Sequence, residues 1–355
     1  MQIAILNDTH AGVKNGSDIF LDYSAKFYDE IFFPYLLENG IKRILHLGDY
    51  FEHRKYVNYK VLEHNHKCFI SKLYEYDIQM DIIPGNHDVY YKNTNELNSI
   101  QTILAQYSDR IHIHMNPTVV NYDGLDVALL PWMCKENEDE CIQFINTAAA
   151  PILMGHLELG GFQYMAGANI KSHGMDKKMF DRYEAVYSGH YHTKSTQENI
   201  TYLGTQFELT WSDAGDPKYF HILDSESREL EAIRNPNFLF QKLYYDEDAT
   251  PQFTRESIEG TYIKVIVTNK KDLYKFDKWM EEIYDYNPHE VRIIENFDEY
   301  SGENVEDDNV KVDDTPTLLN SYIDATETNL NSDILKKMMQ ELFTEAQALD
   351  NITVK

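Results

Sequence analysis

Five short apolar runs in the first 192 residues each stop at side chains that bind metals or phosphates. Residues 3–6 run into Asn7-Asp8-Thr9-His10, and 44–47 into Gly48-Asp49. Residues 80–83 run into Pro84-Gly85-Asn86-His87-Asp88, 152–154 into Gly155-His156, and 185–188 into Gly189-His190-Tyr191-His192. Apolar runs this short, bounded by turn formers, read as buried strands. In α/β sheets ligand sites lie at the carboxyl ends of strands. The chain must therefore place these strands so that five polar ends converge.

Helical spacing fills the gaps between the first runs. In 17–38, Phe20, Tyr23, Phe27 and Ile31 share a face, Ser17 can cap the start, Pro34 can kink the middle and Gly40 stops it. Residues 58–76 and 95–107 read the same way. The stretch TVVNYDGLDVALLPW (118–132) is two strand-like runs around Asp123-Gly124, a hairpin signal. Further strands are expected at 200–203 and 219–223. The class is α/β with layered sheets. After residue 240 a small βαβ unit follows, with strands at 261–268 and 291–295 around a helix at 270–286. Residues 298–316 are acidic with almost no apolar side chains and read as a linker. Beyond it Leu318, Leu319, Tyr322 and Ile323, then Ile334, Leu335, Met338, Met339, Leu342 and Phe343, follow helical spacing suited to a partner's groove. The expected division is 1–235, 240–297, 298–316 and 317–355.

With 355 residues, 43% of them hydrophobic, the chain can bury more than one core. It has no apolar run near 18 residues, so no membrane span is expected. The start, MQIAILNDTH, reads as a strand rather than a signal peptide. Three cysteines, Cys68, Cys134 and Cys141, cannot all pair within the chain, which points to a reducing compartment. The net charge is −27, with 18 basic against 29 acidic residues in 1–223 and 14 against 30 in 224–355. Nucleic-acid binders usually carry the opposite sign. A phosphate-bearing substrate would need help from bound cations, a local basic strip or a basic partner.

Carboxylate, amide oxygen and imidazole together suit Mn²⁺, Fe²⁺ or Zn²⁺. No cysteine stands in the five motifs, which argues against a structural zinc site. The ligands are too many for one ion and suit two. In this order the motifs resemble the calcineurin-like metallophosphoesterases over roughly the first 225 residues. The second unit, the acidic linker and the C-terminal helices resemble the SbcD-type DNA double-strand-break repair nucleases, a branch with bacteriophage members. LPWMCKEN (130–137), KSHG (171–174), SGHYHT (188–193) and YLGTQFELT (202–210) carry that finer likeness.

The resemblance implies an α/β/β/α layered core, a small α+β capping domain and C-terminal helices. It implies two divalent ions, Mn²⁺ foremost with Mg²⁺ as the other option. Asp8, His10 and His192 would hold one ion, Asn86, His156 and His190 the other, and Asp49 would bridge. His87 would be the catalytic histidine and Asp88 would orient it. It implies 3′→5′ exonuclease activity on duplex DNA and endonuclease activity on single strands. It implies an SbcC-type ABC ATPase docked through 318–349, a homodimer through helices near 20–38 and 58–76, and a cytoplasmic location, that of the host cell if phage-encoded. Glu52, His53 and His173 receive no firm role; Arg54 and Lys55 could contact DNA backbone. Two rival readings stay open. One is another two-metal hydrolase of a small nucleotide or phosphoprotein, against which GDYFEHR and GNHD depart from the phosphatase pattern. The other is a non-catalytic scaffold on the same fold.

Overall fold

The computed structural model describes residues 1–165, 168–169 and 174–295. The expected linker (298–316), the helical segment (317–355) and His173 lie outside them.

Strands β1 (Gln2–Leu6), β2 (Arg43–His46), β3 (Gln79–Ile82) and β4 (Ile111–Ile113) run parallel. Next come β5 (Thr118–Tyr122), β6 (Leu125–Leu130), β7 (Ile152–His156), the two-stranded ribbon β8 (Gln163–Met165) and β9 (Ala168–Asn169), then β10 (Ala185–Gly189), β11 (Ser195–Gln197) and β12 (Ile200–Tyr202). The chain returns to the first sheet with β13 (Lys218–Asp224) and β14 (Leu230–Asn235). One six-stranded sheet has the order β14-β13-β1-β2-β3-β4, the other β11-β12-β10-β7-β6-β5.

The sheets face each other across Ile3, Ile5, Leu45, Leu47, Val127, Leu129, Ile152 and Met154, all buried. The first sheet's other face carries Ala4, Leu6, Ile44 and Met80 against the aromatic faces of the first helices. The second sheet's other face packs Ala128, Leu130 and Leu153 on Cys141 and Ile145 of the helix Glu138–Thr147. Strands buried on both faces need near-continuous apolar sequence, which is why the opening runs were readable. The result is the expected α/β/β/α layering.

Local chemistry sets the connections. Asp123 (φ 52°) and Gly124 (φ 91°) form the two-residue turn between Tyr122 and its partner Leu125, as a type I′ hairpin requires. The first helix spans Asp18–Phe27, widens to a π turn over Tyr28–Phe32 just ahead of Pro34, and resumes over Phe33–Glu38. Ser17 stands at its start but makes no side-chain cap. Gly40 (φ 66°) ends it, with Gly40 N–H donating to Leu37 O and Ile41 N–H to Leu36 O at 2.8 Å. The second helix, Tyr59–Asn65 to Ser71–Glu75, also contains a π turn, and Asn58 caps it through Val61 N–H.

Strands β15 (Phe240–Asp246), β16 (Tyr262–Asn269) and β17 (Glu290–Ile294) form a small parallel sheet. Helix Leu273–Asp285 covers it with Phe276, Trp279, Met280 and Ile283, so this unit has its own core. It abuts the large sheets through Phe240, 4.8 Å from the Trp211 ring, and Lys264 Nζ, 4.3 Å above that ring. Glu208 Oε2 accepts the Leu239 and Phe240 amides at 2.6 and 2.8 Å, pinning the connection.

Candidate metal centre

The carboxyl ends of β1, β2, β3, β7 and β10 meet at one edge of the two sheets. Their loops are laced together by main-chain bonds. Asp8 N–H donates to Gly48 O, His10 N–H to Asp49 O and Ala11 N–H to Tyr50 O. Asp8 (φ 48°), His10 (φ 43°), Asp49 (φ 53°) and His190 (φ 85°) lie in the left-handed region. Each such residue costs on the order of 1–3 kcal/mol, and such strain persists only where the surroundings over-determine it. Glycines permit the closest approach: a Cβ on Gly48 would stand 2.5 Å from Gly85 N, and one on Gly85 would stand 2.3 Å from Asp49 Oδ1.

Three sets of ligand-type side chains converge, each within 4.8 Å: Asp8, His10 and His192; Asp49, His156 and His190; and His10, Asp49 and His87. Asp49 thus lies between the first two. Asn86 Oδ1 joins the second set, 3.0 Å from His156 Nε2 and 2.8 Å from His190 Nδ1. His156 Nδ1–H donates to Leu47 O at 2.8 Å. Its Nε2 is then a bare lone pair facing Asn86 Oδ1 and, at 3.4 Å, Asp49 Oδ2. His10 Nε2 is buried with no hydrogen-bond partner, 3.9 Å from Asp8 Oδ1 and 3.8 Å from Asp49 Oδ2. Converging acceptors without donors are costly when buried. A divalent cation satisfies them, so this donor set fits metal.

The electrostatics agree. Burial pulls the His10 imidazole down, but Glu52, Asp49 and Asp8 overrule it and lift it to about 10. His156 is likewise lifted to about 9, against burial, chiefly by Asp49. Burial pushes the Asp49 carboxyl up, yet His156, His87 and His10 hold it well below the usual carboxylate range. His190 is pushed down to about 3 by burial and by His156.

A family model for calcineurin-like phosphoesterases matches residues 1–194. Exonuclease subunit 1 of Enterobacteria phage T4 is 32% identical over 349 residues, covering 98% of this chain and 99% of that protein. The chain belongs to the calcineurin-like phosphoesterase family. Family members are divalent-metal hydrolases of phosphate esters, which accords with the acceptor-rich site. Among solved structures, an archaeal phosphodiesterase aligns at 15% identity over 66% of this chain and all of its own, with a TM-score of 0.34, too low to add to the assignment.

Within this phosphoesterase site, every residue expected to hold metal is present at the converging ends. His87 stands beside them, its ring 4.8 Å from that of His10. One expectation needs correcting: Asp88 does not bond the His87 ring. Its buried carboxylate accepts the amides of Tyr50 (3.0 Å), Phe51 (3.2 Å) and Gly85 (2.9 Å), knitting the second and third loops. Three amides satisfy a buried carboxylate better than one imidazole can. The His87 ring is held instead by Glu52, whose carbonyl lies 2.7 Å from Nδ1. The Glu52 carboxylate also lies 2.7 Å from His10 Nδ1, so one residue supports two histidines. Burial opposes its charge, but His10 holds the Glu52 carboxyl down at about 2. His53 stacks on Tyr56 with centroids 4.5 Å apart and joins none of the three sets.

Sequence reading also missed His46, buried and bonded to Thr9 Oγ1 at 3.0 Å, and Lys218. The Lys218 ammonium is buried with Asp213 and Asp216 and donates to His192 O at 3.0 Å. Neither carries a motif, because each acts through packing that closes far along the chain.

Proposed function

We propose that this chain is the nuclease subunit of an ATPase-coupled complex that processes DNA ends. The observation that carries the reading is the pair of ligand sets Asp8-His10-His192 and Asp49-His156-His190, with Asp49 Oδ2 also 3.8 Å from His10 Nε2, on a chain 32% identical over nearly its full length to a phage exonuclease subunit. Asp8, His10 and His192 would hold one ion, and Asn86, His156 and His190 the other, with Asp49 between. Mn²⁺ is the favoured ion and Mg²⁺ the alternative. Bound ions supply Lewis acidity toward the phosphate and a more acidic water.

The chain does the rest. Nδ1 of His87 has a carbonyl partner and therefore carries a proton. Its Nε2 accepts a hydrogen bond when the ring is neutral and donates one when the ring is charged. His87 is only part-buried, so it can meet a phosphodiester and stabilise or protonate the leaving 3′-oxygen. Asp88 acts on it through the loop it knits. The products would carry 5′-phosphates, from 3′→5′ digestion of duplexes and cutting of single strands.

The same reading makes 1–235 the nuclease domain, 240–297 a cap that positions DNA, 298–316 a linker and 317–355 the partner-binding segment. Residues 318–349 would dock on an SbcC-type ABC ATPase. A homodimer would form through the first two helices, whose outward sides expose Leu37, Tyr59 and Tyr74. The setting is the cytoplasm of the cell in which the DNA is processed, for recombination or repair. Cys68, Cys134 and Cys141 are free, in keeping with it. Labelled duplex and single-stranded DNA incubated with the purified chain in Mn²⁺ should yield 5′-mononucleotides, and none in EDTA. Hydrolysis of bis(p-nitrophenyl) phosphate with DNA left intact, even beside the ATPase, would favour the small-nucleotide reading.

A further inference from the structure

A cleft of about 470 Å³ opens where the small sheet meets the large ones, between the 214–218 loop, the end of β14 and the start of β15. It is cationic in a chain whose net charge is −27. Arg234 and Lys242 line it, and neither makes an ion pair among the described residues. The carboxylates on its wall are committed elsewhere: Asp216 pairs with Lys218 at 2.9 Å, and Glu208 accepts the Leu239 and Phe240 amides. Two aromatic side chains on its walls stay open to solvent, Phe238 at 38% and Tyr244 at 49% exposure. Asn237 Nδ2, also lining it, is buried without a hydrogen-bond partner. One buried side chain links the cleft to the metal centre: Lys218, which lines the cleft, donates through Nζ to His192 O at 3.0 Å.

We propose that this cleft binds a single nucleic-acid strand passing to or from the metal centre. The proposal rests on the nuclease reading and deepens it. Cations meet phosphates, exposed ring faces stack on bases without regard to sequence, and the side-chain amides of Asn237 and Gln241 meet base edges. The volume suits one small ligand and has no room for a duplex. Burial keeps the Lys242 ammonium poorly hydrated and lowers its proton affinity, with Glu208 opposing. A poorly hydrated cation gains more from a phosphate than a solvated one.

The test is the affinity of a labelled phosphorothioate oligothymidylate, which resists hydrolysis, for the full chain in Mn²⁺ across a salt series. A blunt duplex of equal length serves for comparison, and thermal melting checks each variant's fold. Replacing both cations (Arg234→Gln with Lys242→Gln) should flatten the slope of log K against log salt by about 1.4, two contacts' worth for single strands. Tyr244→Ala should weaken single-strand binding roughly tenfold and leave the slope alone. Wild-type affinity and slope in both variants would overturn the proposal, as would an equal loss on the duplex. A wild-type chain that hydrolyses bis(p-nitrophenyl) phosphate but neither binds nor cuts either DNA would instead overturn the nuclease reading itself.

Discussion

Gly85→Ala probes how tightly the second and third loops are set. The added methyl would stand 2.3 Å from Asp49 Oδ1, 2.4 Å from Asp49 N and 2.8 Å from His156 Cε1. Carbon–oxygen contacts under 3.0 Å do not persist, so the loops must part by about 0.7 Å or more. Two of the three atoms met belong to the residue proposed to bridge the ions, and one is backbone that cannot swing aside. Overpacking of this kind costs about 1–3 kcal/mol of stability. The larger effect falls on geometry: misplacing a reacting group by ~1 Å costs about 10²-fold in rate. We expect a folded variant whose kcat on bis(p-nitrophenyl) phosphate in Mn²⁺ falls between tens-fold and about 100-fold. Melting temperature, turnover and metal content on the same preparation make the assay. A variant that keeps two ions and turns over within about twofold of wild type would refute the idea that this contact sets the site.

Other expectations follow from single contacts. Glu52→Ala removes the carboxylate beside His10 Nδ1 but leaves the backbone carbonyl that holds His87. It should lower affinity for one ion about 10–100-fold by calorimetry, and unchanged binding of both ions would remove Glu52 from the metal centre. Glu208 is pushed up from 4.5 to about 7, by burial first and Asp213 in addition, against the two amides it accepts. The folded form therefore holds a proton that the unfolded form releases, and stability present below pH 4.5 is lost as pH rises through about 7. Glu208→Gln cannot titrate, so denaturant melts at about pH 5 and about pH 8 should show it gaining on wild type by up to about 3 kcal/mol. A gap independent of pH would mean Glu208 is not the titrating group.

Much of this was legible because the informative residues are contiguous. Each ligand-bearing loop follows an apolar run that can only be a buried strand, and Asp123-Gly124 dictates its own hairpin. The π turns in the first two helices left no sequence mark beyond Pro34, since a one-residue widening barely disturbs the apolar face. Strand β15 escaped notice because its partner, β16, begins 16 residues after it ends, across a helix of its own. The roles of Asp88 and Glu52 turned on loop packing. Adjacency in sequence put Asp88 beside His87, while the fold turned its carboxylate toward three amides and brought Glu52, 35 positions away, to the ring. Lys218 reaches His192 from a strand that returns to the first sheet after the second is complete, a contact only the tertiary fold makes.

The central claim is that two ions share Asp49 while His87 performs chemistry without holding either. The most direct measurement is metal content and DNA cleavage, side by side, for wild type and His87→Ala in Mn²⁺. The account predicts two ions per chain in both proteins, 5′-mononucleotides from wild type, and loss of most cleavage in the variant. A variant that loses an ion, or one that cuts DNA as wild type does, would contradict it.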